Sequence, residues 1–201
     1  MSISKSGAVY HGVEVRLAST LDELVKCMNL RAAAFIGREG EPYHEEFDGN
    51  DLSTATHLLA LENGVPVGTM RVRILEASDG GVATWQRFAS TPKGRLASKV
   101  LMALAEAARD YTIYKGVGCV VGEVADERLL RFWQRFGFRR VDEPPVYYNG
   151  VAYHPIEARF DHGGRPRPDP GEFEAQAFYA WRASRVRREL KDEKDGAMEA
   201  A

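Results

Sequence analysis

The chain has 201 residues, 44% of them hydrophobic and 28% charged, and its 29 acidic and 27 basic side chains give a formal net charge of -2 and a pI near 6.2. That is the composition of an ordinary globular protein with enough chain to bury a core, and it lacks the bulk basic field that nucleic-acid binding needs. No apolar run reaches the roughly 20 residues of a membrane span, no charged-then-apolar leader opens the chain, and the histidines and the two cysteines show no metal-ligand spacing. The expectation is a cytoplasmic protein with Cys27 and Cys119 as reduced core thiols, no metal and no membrane span.

Residues 1–12 read as loosely ordered, and 13–17 alternate as a first strand. Thr20 and Glu23 form a capping box, so a helix starts there; its stripe is Leu24, Val25, Met28, Ala32 and Phe35, ending near Gly37. Residues 38–54 hold charge, Pro42 and Gly49, and read as a long loop or broken helix, a length that is usually functional in a compact domain. A strand over 57–61, a Glu62-Asn63-Gly64 turn and a strand over 67–75 make a hairpin. On the returning strand Met70, Val72 and Ile74 share one face and Thr69, Arg71 and Arg73 the other; these arginines are either solvated or aimed into a polar site.

The chain is organised around residues 84–138. A strand over 82–89, a loop over 90–95 and a helix over 96–114 with Ala97, Leu101, Leu104, Ala108 and Tyr111 on one stripe come first. A strand over 119–125 and a helix closing on Phe136-Gly137-Phe138 follow. The loop carries Lys93-Gly94-Arg95 into a helix N-terminus, where unpaired amides and the positive dipole end suit an anion. A last pair of strands, 139–141 and 151–160, is separated by Pro144-Pro145 and Asn149-Gly150. The domain spans 1–161 and is followed by a Gly/Pro/Arg linker over 162–170. Asp169, Pro170 and Glu172 then start an amphipathic helix over 171–190, with Phe173, Ala177, Ala180, Trp181 and Ser184 on one stripe and Arg182, Arg185, Arg187 and Arg188 opposite. The charged residues 191–201 read as disordered.

This order of elements, together with Phe132-Trp133-Gln134-Arg135-Phe136-Gly137-Phe138 and Lys93-Gly94-Arg95-Leu96-Ala97-Ser98, resembles the GNAT acyltransferase superfamily. The first is similar to its Tyr-Glu-Lys-x-Gly-Phe segment and the second to its Arg-Gly-x-Gly-x-Gly coenzyme loop, with the later glycines replaced. The implied fold is α/β (α+β): a GNAT-like mixed, mostly antiparallel central sheet flanked by helices, with a C-terminal extra helix. Arg31-Ala-Ala-Ala-Phe35, Glu46-Phe-Asp48, Gly68-Thr-Met-Arg71 and Trp85-Gln86-Arg87-Phe88 are further similar to segments of the acyl-homoserine-lactone synthase and long-chain N-acyl amino acid synthase branch. Thr84 and Gln86 stand where that branch has Glu and Ser.

The resemblance implies acyl transfer from acetyl-CoA or a longer acyl-CoA to a small-molecule primary amine by direct attack, with no metal. Backbone N–H near Phe88 and Ala89 would hold the thioester carbonyl. Lys93, Gly94, Arg95, Leu96, Ala97 and Ser98 would take the pyrophosphate, and Asp126 and Trp133 would border the coenzyme. Trp133 occupies the superfamily's tyrosine position, and an indole is no acid at neutral pH, so a water or a nearby Tyr or Ser would protonate the thiolate. Glu123, expected among apolar neighbours that raise its pKa, is the candidate base; the alternative is a carboxylate paired with Arg71 or Arg73. Arg31 and Asp48 read either as an ion pair tying the long loop down or as substrate contacts, and Arg71 and Arg87 as holders of an acceptor carboxylate or as solvated charges. Trp85 reads as core. Two other readings stay open: an acyl-carrier-protein-dependent N-acyl amino acid or acyl-homoserine-lactone synthase, and a non-catalytic acyl-CoA-binding module. The C-terminal helix reads as a docking or homodimer element.

Overall fold

The computed structural model describes residues 7–38, 40, 42–91, 94–148, 150–164 and 174–199, the last six as backbone only. The chain divides into two compact units, Met1–Arg167 and Pro168–Ala201.

The first unit opens with a correction. Residues 8–10 are not loose: β1 (Ala8–Tyr10) pairs antiparallel with β2 (Val13–Leu17) through His11-Gly12, whose φ angles of 50° and 81° make the two-residue turn that suits twisted strands. The Tyr10 hydroxyl donates to Asp110 Oδ2 at 3.1 Å, which anchors the hairpin. α1 (Leu21–Arg31) starts where the capping pair predicts, with Thr20 Oγ1 accepting from Glu23 N–H at 3.2 Å; the Glu23 carboxylate accepts from Ser19 N–H at 3.0 Å. A π-helical turn over Ala32–Ile36 follows. Residues 42–54 form a broken helix, with α2 (Tyr43–Glu46) and a 3₁₀ turn (Gly49–Leu52) capped by Asp48.

β3 (Ala55–Glu62) and β4 (Val65–Glu76) are joined at Asn63-Gly64, with φ of 51° and 80°. β5 (Gly81–Ser90), α3 (Gly94–Tyr114), β6 (Val117–Val124) and α4 (Glu127–Gln134) come next, then β7 (Arg139–Arg140), β8 (Val146–Tyr148) and β9 (Val151–Arg159). The sheet order is β1-β2-β3-β4-β5-β6-β9-β7, with β8 pairing β9 beside this path. Among the described residues only β5 and β6 run parallel, and every other pair is antiparallel. β8 is absent from the sequence reading, although Val146-Tyr147-Tyr148 before Asn149-Gly150 is a hairpin pattern.

α3 covers one sheet face with Val100, Ala103, Leu104, Ala107 and Ala108, all buried against strand residues such as Met70, Val72, Ala83 and Trp85. Gly68 on β4 permits this approach: a Cβ there would stand 2.5 Å from Val100 Cγ1 and 3.3 Å from Leu104 Cδ1. α1 covers the opposite face with a cluster of Cys27 and Leu30 against Leu59 and Leu61. Burial pushes the Cys27 thiol up to about 11, as expected of a core cysteine.

In the second unit α5 (Glu174–Glu199) continues to Glu199, past residue 190 where the sequence reading ends the helix. Its Glu, Lys and Ala are strong helix formers, and Arg185 Nε pairs with Glu189 one turn on at 2.9 Å. The expected start at Asp169, Pro170 and Glu172, and Phe173 of the stripe, lie outside the described residues. Among the described residues no helix is long and apolar enough to cross a membrane.

Candidate active site

The sheet opens in the middle. β5 and β6 pair only from Gly81 against Val117 to Thr84 against Val121. Beyond that point β5 stays on β4 as far as Ser90, and β6 stays on β9 as far as Val124. A bulge marks the opening: Gln86 pairs Arg71 and Ala89 pairs Thr69, so Arg87 and Phe88 together oppose Met70. Arg87 takes φ 53°, an unusual conformation for a long side chain. Phe88 and Ala89 thus lie on the strand half that has lost its parallel neighbour.

β5 leads directly into the N-terminus of α3. Gly94 has φ 63°, Gly94, Arg95, Ser98 and Lys99 are exposed, and Leu96 and Ala97 are half-buried. Lys93 lies outside the described residues. The first-turn amides of this helix, which starts at Gly94 rather than at 96, face no intrahelical acceptor. Asp126 caps α4, accepting from Arg128 N–H at 2.5 Å; hydrogen bonds from the Arg128 side chain and backbone hold its carboxyl below the ordinary range. Trp133 packs in an aromatic cluster, its ring 6.1 Å from Trp85 and 5.6 Å from Phe138. Trp85 is core, as expected, with its indole N–H donating to Thr112 Oγ1 at 3.0 Å.

On the face away from α3, three arginines meet three carboxylates. Arg31 is fully buried; it donates from Nη1 to Asp51 Oδ1 at 2.6 Å, from Nη2 to Asp51 Oδ2 at 3.2 Å, and from Nε to Glu46 Oε1. Arg71, 2% exposed, grips Asp48 with both Nη atoms at 2.8 and 3.0 Å, and also reaches Asp51 Oδ1 at 2.9 Å and Gln86 Oε1 at 2.9 Å. Arg87 donates to the Glu45 carbonyl at 2.6 Å, and its Nη1 lies 3.3 Å from Glu46 Oε2. Arg31 and Asp48, expected as partners of each other, are both in this network but pair elsewhere: the 3₁₀ turn brings Asp51 under Arg31 and leaves Asp48 to Arg71. Arg71 and Arg87 are spent on the loop's carboxylates and carbonyl, so neither is the idle cation a substrate carboxylate would need.

Burial alone would raise the Asp48 carboxyl, but the hydrogen bonds and charge of Arg71 outweigh it and hold the group down at about 2. Asp51 is lowered in the same way by Arg31 and Arg71. Burial pushes His57 below its usual value, so it is a neutral ring at pH 7, with Nε2 3.1 Å from the Asp51 carbonyl.

Glu123 sits where the open strands predict, on β6 past the last paired residue, but its surroundings differ from expectation. It is exposed rather than set among apolar neighbours, because β6 has no partner on its β5 side here. Its partner is neither Arg71 nor Arg73. The Tyr148 hydroxyl of β8 lies beside it, and burial together with the Glu123 charge raises that phenol above its ordinary value.

Asp51, His57 and Tyr148 therefore join the site without having been singled out in the sequence, and Glu46 and Gln86, quoted there only within resembling segments, join it with no role expected of them. The run Asp48-Gly49-Asn50-Asp51, with two carboxylates one tight turn apart, was the available signal.

The profile of the acetyltransferase (GNAT) family matches residues 24–138. A Bacillus subtilis (strain 168) protein named as an acetyltransferase is 35% identical over 65 residues, which are 31% of this chain and 44% of that protein. The match thus spans less than half of that relative's length. Among solved structures, an acyl-CoA N-acyltransferase from Pseudomonas aeruginosa superimposes with a TM-score of 0.58 at 20% identity, over 73% of this chain and 97% of that one. FeeM, an N-acyl amino acid synthase from uncultured soil microbes, gives 0.56 at 14% identity, over 73% and 90%. These likenesses establish the shared fold. With a family profile spanning more than half of its residues and the split sheet in place, the chain belongs to the acetyltransferase (GNAT) family.

Proposed function

We propose that this protein is an N-acyltransferase that moves an acyl group from acetyl-CoA or a longer acyl-CoA to the primary amine of a small molecule. The observation that carries the reading is the opening between β5 and β6 past Thr84 and Val121, with the α3 N-terminus at the end of β5. The gap suits an extended pantetheine arm, which can use strand amides left without a ladder partner, and the residues 93–98 suit its pyrophosphate. Gly94, Leu96, Ala97 and Ser98 would contribute backbone amides, and Lys93 and Arg95 charge. Phe88 and Ala89 N–H would polarise the thioester carbonyl. Asp126 and Trp133 would shape the coenzyme's border through the α4 cap and the aromatic cluster.

The amine attacks the carbonyl carbon, a C–N bond forms, the C–S bond breaks, and CoA leaves as thiolate. Glu123 would take the amine proton, and the Tyr148 hydroxyl beside it is the phenol placed to return a proton to sulfur. The buried arginine network would hold residues 42–54 over the acceptor side.

Thermal melting with acetyl-, octanoyl- and palmitoyl-CoA, followed by thiol release with an amine panel, tests the proposal, since a ligand of the folded state raises the melting temperature. A shift with any of them plus amine-dependent release supports it. Shifts without release would favour a non-catalytic acyl-CoA-binding module, and no shift at all would turn attention to acyl carrier protein as the donor.

A further inference from the structure

One guanidinium on the acceptor side of the sheet is left over. Arg73 follows Arg71 by two residues on β4 and shares its face. Arg31, Arg71 and Arg87 are answered by Glu46, Asp48 and Asp51, three charges against three. Arg73 is half-buried and, among the described residues, has no ion pair and no hydrogen bond; its Nε is buried without an acceptor. Across the strand pair it faces Ala55 on one side and Thr84 on the other, both neutral. Thr84 is also the position where the resembling synthase branch carries a Glu. A partly desolvated guanidinium with an idle donor is costly unless an anion arrives to meet it.

The register places an exposed carboxylate of this face, Glu123, nearby, while Arg139 and Arg159 of the same face share Glu157. Arg73 aligns with Thr84, Thr84 with Val121, and Glu123 follows Val121 by two residues on the same face. From strand spacing, Arg73 and Glu123 stand roughly 10 Å apart across the sheet and 7 Å along it. Two long side chains spanning that separation leave room for one small zwitterion at the mouth of the opening.

We propose that Arg73 binds the carboxylate of an amino-acid acceptor whose amine is presented toward Glu123, which assigns the acceptor to the α-amino acid class; this rests on the acyltransferase reading above. Arg73 is then a specificity-determining residue. The neutral amine attacks the thioester carbon, one amine proton passes to the Glu123 carboxylate, the C–S bond breaks, and the departing thiolate takes up a proton. The product is an N-acyl amino acid.

The test is binding, which needs no turnover. Amino acids and their decarboxylated counterparts are titrated into the full chain by calorimetry: phenylalanine with phenethylamine, tyrosine with tyramine, glutamate with γ-aminobutyrate, ornithine with putrescine. At least one amino acid should bind tenfold or more tightly than its amine. Arg73→Gln should cut that ratio at least tenfold, and Arg73→Lys should keep part of it. Where Arg73→Gln melts too early to titrate, Thr84→Glu makes the same cut by setting a carboxylate across from the guanidinium. A ratio near one for every pair in the natural chain, or a substitution that weakens acid and amine alike, overturns the proposal. Thiol release on the same pairs separates the two readings. Selective binding without release leaves Arg73 assigned and defeats the acyltransferase, whereas release with the amines alone keeps the acyltransferase and defeats the assignment.

Discussion

Asp48 and Arg71 form a two-pronged ion pair, Oδ1 to Nη1 at 2.8 Å and Oδ2 to Nη2 at 3.0 Å, which ties the loop before β3 to the middle of β4. Asp48 also caps the 3₁₀ turn, so the pair ties Gly49–Leu52 to the sheet. Its acid stability follows. The folded carboxyl titrates at about 2 against an ordinary 3.8, so the unfolded chain takes up the proton first. The contribution is complete above about pH 4 and is lost as pH falls through 2. With the Asp48 side chain 32% exposed, solvent screening trims it to about 1 kcal/mol. Urea midpoints at pH 5, 3 and 2 check this: Asp48→Asn should be less stable than the natural chain at pH 5 and nearly equal to it at pH 2, and a constant difference would contradict the assignment.

Arg31 gives a larger effect without a pH window. It is fully buried, and its removal would leave Asp51 to Arg71 alone and the buried Glu46 to the more distant Arg87 alone. Losing one partner of a buried pair costs about 3–5 kcal/mol. Arg31→Met should therefore lower the unfolding free energy by about that amount, while Arg31→Ala should do so at least as much. A change under about 1 kcal/mol in denaturant unfolding would mean that the loop's carboxylates find other partners.

The elements were readable where the pattern is local. Thr20 with Glu23 marks the start of α1, Asn63-Gly64 marks a tight turn, and the apolar stripe of α3 survives with Leu104, Ala108 and Tyr111 buried. His11-Gly12 and Tyr148-Asn149-Gly150 are the same kind of signal in less familiar dress, and they hid two strands. The network was half legible. Arg31, Asp48, Arg71 and Arg87 do gather, but which carboxylate meets which guanidinium depends on a turn over Gly49–Leu52 whose pitch no periodicity reports. Glu123 was singled out by its strand position, whereas its exposure depends on where β5 stops pairing with β6, a long-range property. The idle state of Arg73 is visible only once Arg31, Arg71 and Arg87 have been matched to their carboxylates.

Gly68 sets the distance between sheet and helix. A methyl group there would meet Val100 Cγ1 at 2.5 Å and the Ala89 carbonyl at 3.1 Å, and Val100 is fully buried, with little room to turn. Gly68→Ala should cost about 1–3 kcal/mol, the range for overpacking, and Val100→Ala in the same chain should recover part of it by vacating the contested space. Additive losses in the double variant, read by thermal melting, would show that the helix moves freely instead.

Glu123 supplies the sharpest check on the chemistry. It is exposed and away from the core, so Glu123→Gln keeps the shape of the side chain beside Tyr148 while removing the capacity to take a proton. The melting temperature and the shift produced by acyl-CoA should be those of the natural chain. Thiol release at saturating amine should fall by 10²–10⁴, the range that general base catalysis supplies. The loss should shrink as pH rises toward the pKa of the acceptor amine, because a free amine already unprotonated in solution relies less on the enzyme for attack. Release unchanged at pH 7 would move the proton to water or to another group, and it would leave Glu123 as a surface carboxylate beside Tyr148 and nothing more.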